Sequence, residues 1–279
     1  MDRLVKGFVF DGQVRLIGIE ATDLVQTALD THKLSPVGTA ALGKLLMAGS
    51  IMGSMMKNDS DKITIMVKGN GPLGNIVVCG NSNAIVKGYV QNPIVDIPLL
   101  ENGNLDVGSA VGNSGLLTVI KDIGLKEPQS GSVELKSGEI SDELTDYFLV
   151  SEQIPSVIQL SVALKKDATV IAGGYLLQLM PSVDPAIIDM IVGRISNMKP
   201  VCELIKEGFS IEDILKAISG DDKITVLDEL KPAFLCDCSR ERMEQALNTI
   251  SKAERETMIR EDGFIEMKCS FCGKVERWR

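Results

Sequence analysis

The chain has 279 residues, 44% of them hydrophobic and 24% charged, a composition that excludes wholesale disorder and fibrous repeats. A formal net charge of −9 repels phosphate backbones, and aromatics at 4% leave few stacking platforms, so a general nucleic-acid binder is disfavoured. The opening MDRLVKGFVF carries Asp2, Arg3 and Lys6 and no long apolar run, which predicts no signal peptide there. The apolar stretch from Leu34 to Met56 is broken by Lys44 and four glycines and falls short of a membrane span, so a soluble, cytoplasmic protein without a membrane partner is expected.

Phe8–Phe10 and Val14–Glu20, on either side of Asp11-Gly12, predict a hairpin. Thr22 is a candidate cap for a helix over Asp23–Thr31, and Ser35-Pro36 reads as the N-cap and first residue of a helix reaching about Lys57. Gly38, Gly43, Gly49 and Gly53 would let that helix sit close against a sheet, with Met47, Met52, Met55 and Met56 in the core rather than at a subunit interface. Strands are predicted at Ile63–Val67, Ile76–Cys79 and Ala84–Val90, the last two joined by Gly80-Asn81-Ser82. Ser141 is the expected cap of a short helix, DELTDYFLVSEQ, and Val157–Leu164 with Ala168–Leu176 predict a second hairpin across Lys165–Asp167. The fold class expected is α+β, with residues 1–181 forming an N-terminal domain of antiparallel sheet and packed helices.

Residues 182–231 read as a helical connector of three short amphipathic segments, DPAIIDMIVGRISNM, CELIKEG and SIEDILKAISG, divided by Pro200 and Gly208. Ile187, Ile188, Ile191 and Ile195 make one apolar face, which must rest on something because helices this short are marginal alone. Residues 232–279 form a small C-terminal domain with nine basic and nine acidic side chains. A segment of that size cannot build a self-sufficient core and needs a staple.

Four of the six cysteines supply one. Cys236 and Cys238 form a CxC pair, Cys269 and Cys272 a CxxC pair, and about a helical hairpin's length lies between them. Two close pairs so placed can present four thiolates to one tetrahedral zinc, and Gly273 fits the turn of a zinc knuckle. Such a site would add on the order of 10–16 kcal/mol of folding free energy, while its thiolates are what oxidants attack. The spacing alone allows either a permanent structural site or a redox switch. Cys79 and Cys202 stand apart in apolar surroundings and read as small buried side chains.

Other signals carry less. Gly69-x-Gly71-x-x-Gly74 matches a dinucleotide-binding fingerprint, but Pro72 and the strand-like Ile76–Cys79 follow where a helix would have to open, so a strand–turn–strand is expected. His32, the only histidine, sits near a helix end, where it suits the helix dipole. Asp142, Glu143 and Asp146 fall at a helix start, where acidic residues do the same. A thiol oxidoreductase built on Cys269-x-x-Cys272 lacks room for a thioredoxin-like unit, so no enzyme is expected.

The cysteine pattern follows GNGPLG (69–74), GYVQNP (88–93), SGEISDELTDYF (137–148), SEQIPS (151–156) and AGGYLLQLMP (172–181). Together these motifs closely resemble the 33-kDa heat-shock protein family, redox-regulated holdase chaperones also called 33-kDa chaperonins, and the resemblance covers essentially the whole chain. It implies that Cys236, Cys238, Cys269 and Cys272 bind one zinc in a reduced, inactive form. It further implies that oxidation forms the disulfides Cys236–Cys238 and Cys269–Cys272, releases zinc, unfolds the C-terminal region and connector, and yields a homodimer that holds unfolding clients without ATP. Exposed Ile, Leu and Met faces of the connector, Met190 and Met198 among them, would suit varied clients. The family continues past its CxxC with a tyrosine and a phenylalanine; here Gly273 to Arg279 holds no tyrosine, and Trp278 stands for the phenylalanine. Zinc binding is expected to be kept, and the stability of the zinc domain to be tuned differently. The alternative reading is a permanent four-cysteine module in a protein- or nucleic-acid-binding protein.

Overall fold

The N-terminal hairpin consists of β1 (Arg3–Val9) and β2 (Val14–Glu20), with Arg3 opposite Glu20 and Val9 opposite Val14. Its turn carries positive φ at Phe10, Asp11 and Gly12, the last at 85°. β1 begins at Arg3 rather than Phe8: Leu4 and Val5 are both buried, on opposite faces, so the alternation that marks a half-exposed strand is missing. The computed structural model describes residues 2–181, 183–220 and 223–279. Ser182, where the connector is expected to begin, and Asp221 and Asp222 within it lie outside the described residues. The chain divides into two compact units between Phe234 and Leu235.

In the first unit α1 (Thr22–His32) and α2 (Pro36–Ser54) follow the hairpin. Ser35 caps α2 as expected, its hydroxyl accepting from the Gly38 N–H at 3.3 Å. Thr22 does not cap α1; the Asp2 carboxylate accepts from the N–H groups of Asp23 and Leu24 instead, at 2.9 and 2.7 Å. Next come β3 (Lys62–Gly69), β4 (Asn75–Asn81) and β5 (Ile85–Val90), with β4 running on through Gly80. β4 opens directly after Gly74, so no helix N-terminus follows the glycine motif.

Three elements follow in a stretch for which no helix or strand is expected: α3 (Val107–Val111), β6 (Gly115–Asp122) and β7 (Gln129–Glu134). Then come α4 (Ile140–Val150), β8 (Ser156–Leu164) and β9 (Val170–Leu179), the last two paired from Leu164–Val170 to Ser156–Gln178. Ser141 sits inside the first turn of α4 and accepts from the Leu160 N–H at 3.1 Å, so it braces β8 rather than capping the helix. Glu143, 1% exposed, folds back to accept from the backbone N–H groups of Lys136, Ser137 and Gly138.

The connector supplies α5 (Pro185–Ile195), α6 (Val201–Lys206) and α7 (Ile211–Ser219), and then a strand, β10 (Thr225–Leu230), where helix was expected. A two-residue strand, β11 (Ala233–Phe234), ends the unit. One sheet has the order β10-β1-β2-β9-β8; the other runs β11-β5-β4-β3-β6-β7, antiparallel except where β11 meets β5.

Between the sheets lies the main core, built around α2, of which only Pro36 and Lys44 escape burial. Met47 and Met52 are buried in it and Met55 and Met56 pack against it. A Cβ on Gly53 would lie 2.4 Å from the Asn81 carbonyl oxygen, so glycine there sets how closely α2 approaches β4. A second cluster covers the other face of the first sheet. Ile191, Val201, Ile211, Ile214, Leu215 and Ile218 of the connector bury Val5, Val9, Val14, Leu16, Tyr175 and Leu177. The sheet is smooth where these helices press on it: a Cβ on Gly18 would meet Ile211 at 2.6 Å, and one on Gly173 would meet Ile205 at 2.4 Å.

The second unit holds α8 (Arg240–Leu247), α9 (Lys252–Asp262) and the antiparallel pair β12 (Ile265–Lys268) and β13 (Val275–Trp278). No helix among the described residues is long and apolar enough to cross a membrane.

Candidate metal centre

The CxC pair lies in the extended stretch before α8, whose N-cap, Ser239, accepts from the Arg242 N–H at 3.3 Å. Asp237, between the two cysteines, pairs with the Arg242 guanidinium. Both contacts hold the chain at the entrance to α8. The CxxC pair occupies the turn of the β12–β13 hairpin. There the Cys269 N–H donates to the Lys274 carbonyl and the Gly273 N–H to the Cys269 carbonyl, both at 2.8 Å, with Gly273 at φ 72°. That left-handed position is one glycine adopts without strain.

The four sulfurs converge, all within 4.8 Å of one another. Cys236 Sγ lies 3.7 Å from Cys269 Sγ, and Cys238 Sγ lies 3.3 Å from Cys272 Sγ. A zinc ion with bonds of about 2.3 Å to four thiolates requires sulfur–sulfur edges of about 3.8 Å. The cluster therefore has the size and donor set of a tetrahedral zinc site. Burial pushes the Cys236 and Cys238 thiols above their ordinary range, and the thiols of Cys272, Cys236 and Cys269 add to it at Cys238. Burial also acts upward on Cys269, but the backbone N–H groups of Cys272 and Phe271 and the neighbouring thiols more than offset it, so that thiol is held low. Four thiols this close resist ionising together; a divalent cation at their centre removes that resistance.

The other sequence candidates are not drawn into the cluster. Cys202 is buried in α6, where burial raises its thiol. Cys79, expected to be buried, is half-exposed on β4, its sulfur 3.5 Å from the Thr64 hydroxyl. His32 ends α1, with Nε2 2.9 Å from the Gly88 carbonyl and its ring edge-on to Phe234. Missed by sequence reasoning was Arg240, which clamps the start of α8 to β13. Its guanidinium reaches Glu276 at 2.7 Å and the Arg277 carbonyl at 3.1 Å, and lies 4.9 Å from the centre of the Trp278 ring. Trp278 thus has a defined place in the unit's packing. The only local hint was an arginine directly after the CxCS run.

Comparison with known proteins agrees with this geometry. The sequence model of the Hsp33 protein family matches residues 2–278. The chain belongs to the Hsp33 family. It is 44% identical to the 33 kDa chaperonin of Clostridium tetani, over 98% of this chain and 93% of that protein. Identity to the 33 kDa chaperonin of Halalkalibacterium halodurans is 43%, over 98% of this chain and 94% of that one. The crystal structure of the 33 kDa chaperonin of Thermotoga maritima superposes with a TM-score of 0.93 at 34% identity, covering 99% of this chain and 94% of that one. The expected α+β architecture, with its connector helices and C-terminal four-cysteine cluster, is the Hsp33 architecture. Hsp33 proteins are redox-regulated, zinc-binding holdases and not enzymes, and the four-cysteine cluster here is consistent with the zinc site of that function.

Proposed function

We propose that Cys236, Cys238, Cys269 and Cys272 hold one zinc in the resting chain and are themselves the redox switch. The observation that carries this reading is the convergence of four thiols, from two distant pairs, in a unit with little other means of cohesion. Among its described residues only Met243, Leu247 and Ile265 are buried apolar side chains. Bound zinc supplies the cross-link between the pairs that a core would otherwise provide.

Oxidation removes the ligands. Each disulfide takes two electrons from a pair of thiolates, and one peroxide accepts them, with two protons from solvent, to become two waters. Two peroxides therefore convert the site to the disulfides Cys236–Cys238 and Cys269–Cys272. In a compact tetrahedral set every sulfur neighbours every other, so proximity does not choose the partners. Loop-closure entropy does, because the pairs within CxC and CxxC stay close once the unit loosens.

The first unit holds what the switch would release. α5, α6 and α7 are too short to stay helical off the sheet, and their departure bares the face of Val5, Val9, Val14, Leu16, Tyr175 and Leu177. Contiguous apolar surface of that kind is what a non-specific holdase offers its clients. A second copy of the activated chain offers the same surface, which supports a homodimer on activation, and the net charge of −9 supports a role without nucleic-acid or anionic-membrane partners.

The test follows zinc, thiols and chaperone activity through one titration with peroxide under mild heating, starting from anaerobically purified protein. One zinc per chain should leave in step with four thiols as suppression of a reporter's aggregation appears, and peptide mapping should find the two local disulfides. Zinc retained through full oxidation would instead mean a permanent structural module.

A further inference from the structure

The strand that closes the first sheet is a poor fit to its neighbour, and the neighbour is unusually well prepared for a strand. β1 is buried on both faces: Leu4 belongs to the main core, while Val5 and Val9 lie under the connector helices. One of its edges is taken by β2, and the other by β10 alone. β10 is exposed at every position from Thr225 to Glu229, and only Leu230 packs against the core. Its pairing with β1 is broken by a bulge. Lys6 faces Asp228 and Gly7 faces Val226, leaving Leu227 unpaired and 63% exposed.

Charge is what matches the two strands. Arg3 of β1 reaches Glu229 of β10 at 3.0 Å and Glu212 of α7 at 2.7 Å. Lys6 reaches Asp228 at 3.0 Å and the Ser54 carbonyl at 2.9 Å. These ion pairs are partly open to water, so each holds β10 only weakly. The carboxylates that pair with Arg3 at these distances, and Asp228, belong to the connector. Its departure leaves two cations beside a free β1 edge, Arg3 on one face of the strand and Lys6 on the other, with Glu20 of β2 the carboxylate still opposite Arg3. At Gly7 no side chain guards that edge: a Cβ there would lie 2.8 Å from the Thr225 carbonyl oxygen.

We propose that the free edge of β1 is a client-docking element. It takes up extended segments of unfolding proteins as an antiparallel strand, favouring those that combine apolar residues with adjacent acidic ones. In the resting chain β10, with its sequence TVLDEL, occupies the edge as an internal surrogate for the client. Recognition through the main chain suits a holdase, because every unfolded polypeptide offers the same N–H and C=O groups. Arg3 and Lys6, one on each face of the edge, add the bias toward segments with two consecutive acidic residues, as Asp228 and Glu229 are in β10, and the bared face beside Val5 and Val9 receives alternate side chains. This inference rests on the holdase reading and on release of the connector.

The test uses a fluorescent synthetic peptide of residues 223–231 with the full-length protein, both zinc-loaded and reduced and fully oxidised. Fluorescence anisotropy should show saturable binding to the oxidised form only, and the peptide should displace an unfolding reporter protein from it. Two further peptides carry N-methyl groups at alternate residues, one in each of the two possible phases. A paired strand turns alternate N–H groups to its neighbour, so one phase should weaken binding by about tenfold or more and the other should not. A peptide with Asp228→Lys and Glu229→Lys should bind about tenfold more weakly. Equal binding by both N-methylated phases overturns strand addition. Peptide binding that blocks dimerisation but leaves reporter capture intact assigns the edge to a second copy of this chain and overturns client docking. Aggregation suppression without peptide binding overturns the docking mode while leaving the holdase reading in place; oxidation that brings no suppression removes the reading on which the inference rests.

Discussion

Asp2 shows how a single side chain outside any predicted motif can set an element. Its carboxylate closes the N-terminus of α1 by accepting from Asp23 and Leu24, and burial pushes its pKa up to about 6 even though those two N–H bonds act the other way. The native state therefore binds a proton that the unfolded chain, with an ordinary carboxylate near 3.9, gives up earlier. Stability from this group is fully present below the unfolded value and is lost as pH rises through about 6. Urea unfolding followed by circular dichroism should show wild type losing stability relative to Asp2→Asn between about pH 4 and pH 6, with a constant difference above. An advantage for wild type that grows through the same window would mean that the N–H groups of α1 favour the anion more than burial disfavours it.

At the level of elements, legibility followed from where each signal lies. α2 could be read because Ser35-Pro36 is a local cap and its neighbours are apolar all round. α1 was placed correctly with the wrong cap, since Asp2 reaches it only through the fold. β7, sequence QSGSVE, is largely exposed at the end of its sheet, and nothing in its composition separates it from a loop. β10 was hidden for the related reason that its side chains face water. The connector helices carried both caps and faces. In α7 the Ser210 hydroxyl accepts from the Asp213 N–H at 3.2 Å and the Asp213 carboxylate accepts from the Ser210 N–H at 3.0 Å, while Ile211, Ile214, Leu215 and Ile218 are buried. Ser210→Ala should cost about 1 kcal/mol, which is roughly fivefold in local opening. Hydrogen exchange of the α7 amides in the reduced, zinc-loaded chain measures it, and the oxidant dose needed for activation should fall with it. Unchanged exchange would mean that burial of the isoleucines alone fixes the helix.

The whole molecule joins two units of unequal self-sufficiency, and only one of them has a core. The first unit packs two sheets around a buried helix. In the second, α9 buries no residue among those described, and the hairpin's strands are four residues each, which is marginal without help. The four cysteines were legible because their spacing is itself the signal. The clamp of Arg240 on Glu276 and Trp278 was not, because those partners lie at the far end of the unit's sequence. Clamp and metal are rival sources of cohesion, and their magnitudes separate them. A solvent-screened ion pair with one cation–π contact contributes only a small fraction of the about 10–16 kcal/mol that a structural zinc supplies. Chelating zinc from the reduced chain should therefore melt residues 235–279 while amide protection in α2 stays intact. Trp278, the only tryptophan, reports the second unit alone, so its emission should shift toward that of a solvated indole as the chelator takes the metal. If Trp278 emission and α8 protection survive chelation, the hairpin and its arginine clamp hold the unit by themselves, and oxidation would then have to act on the fold through the disulfides rather than through loss of the metal.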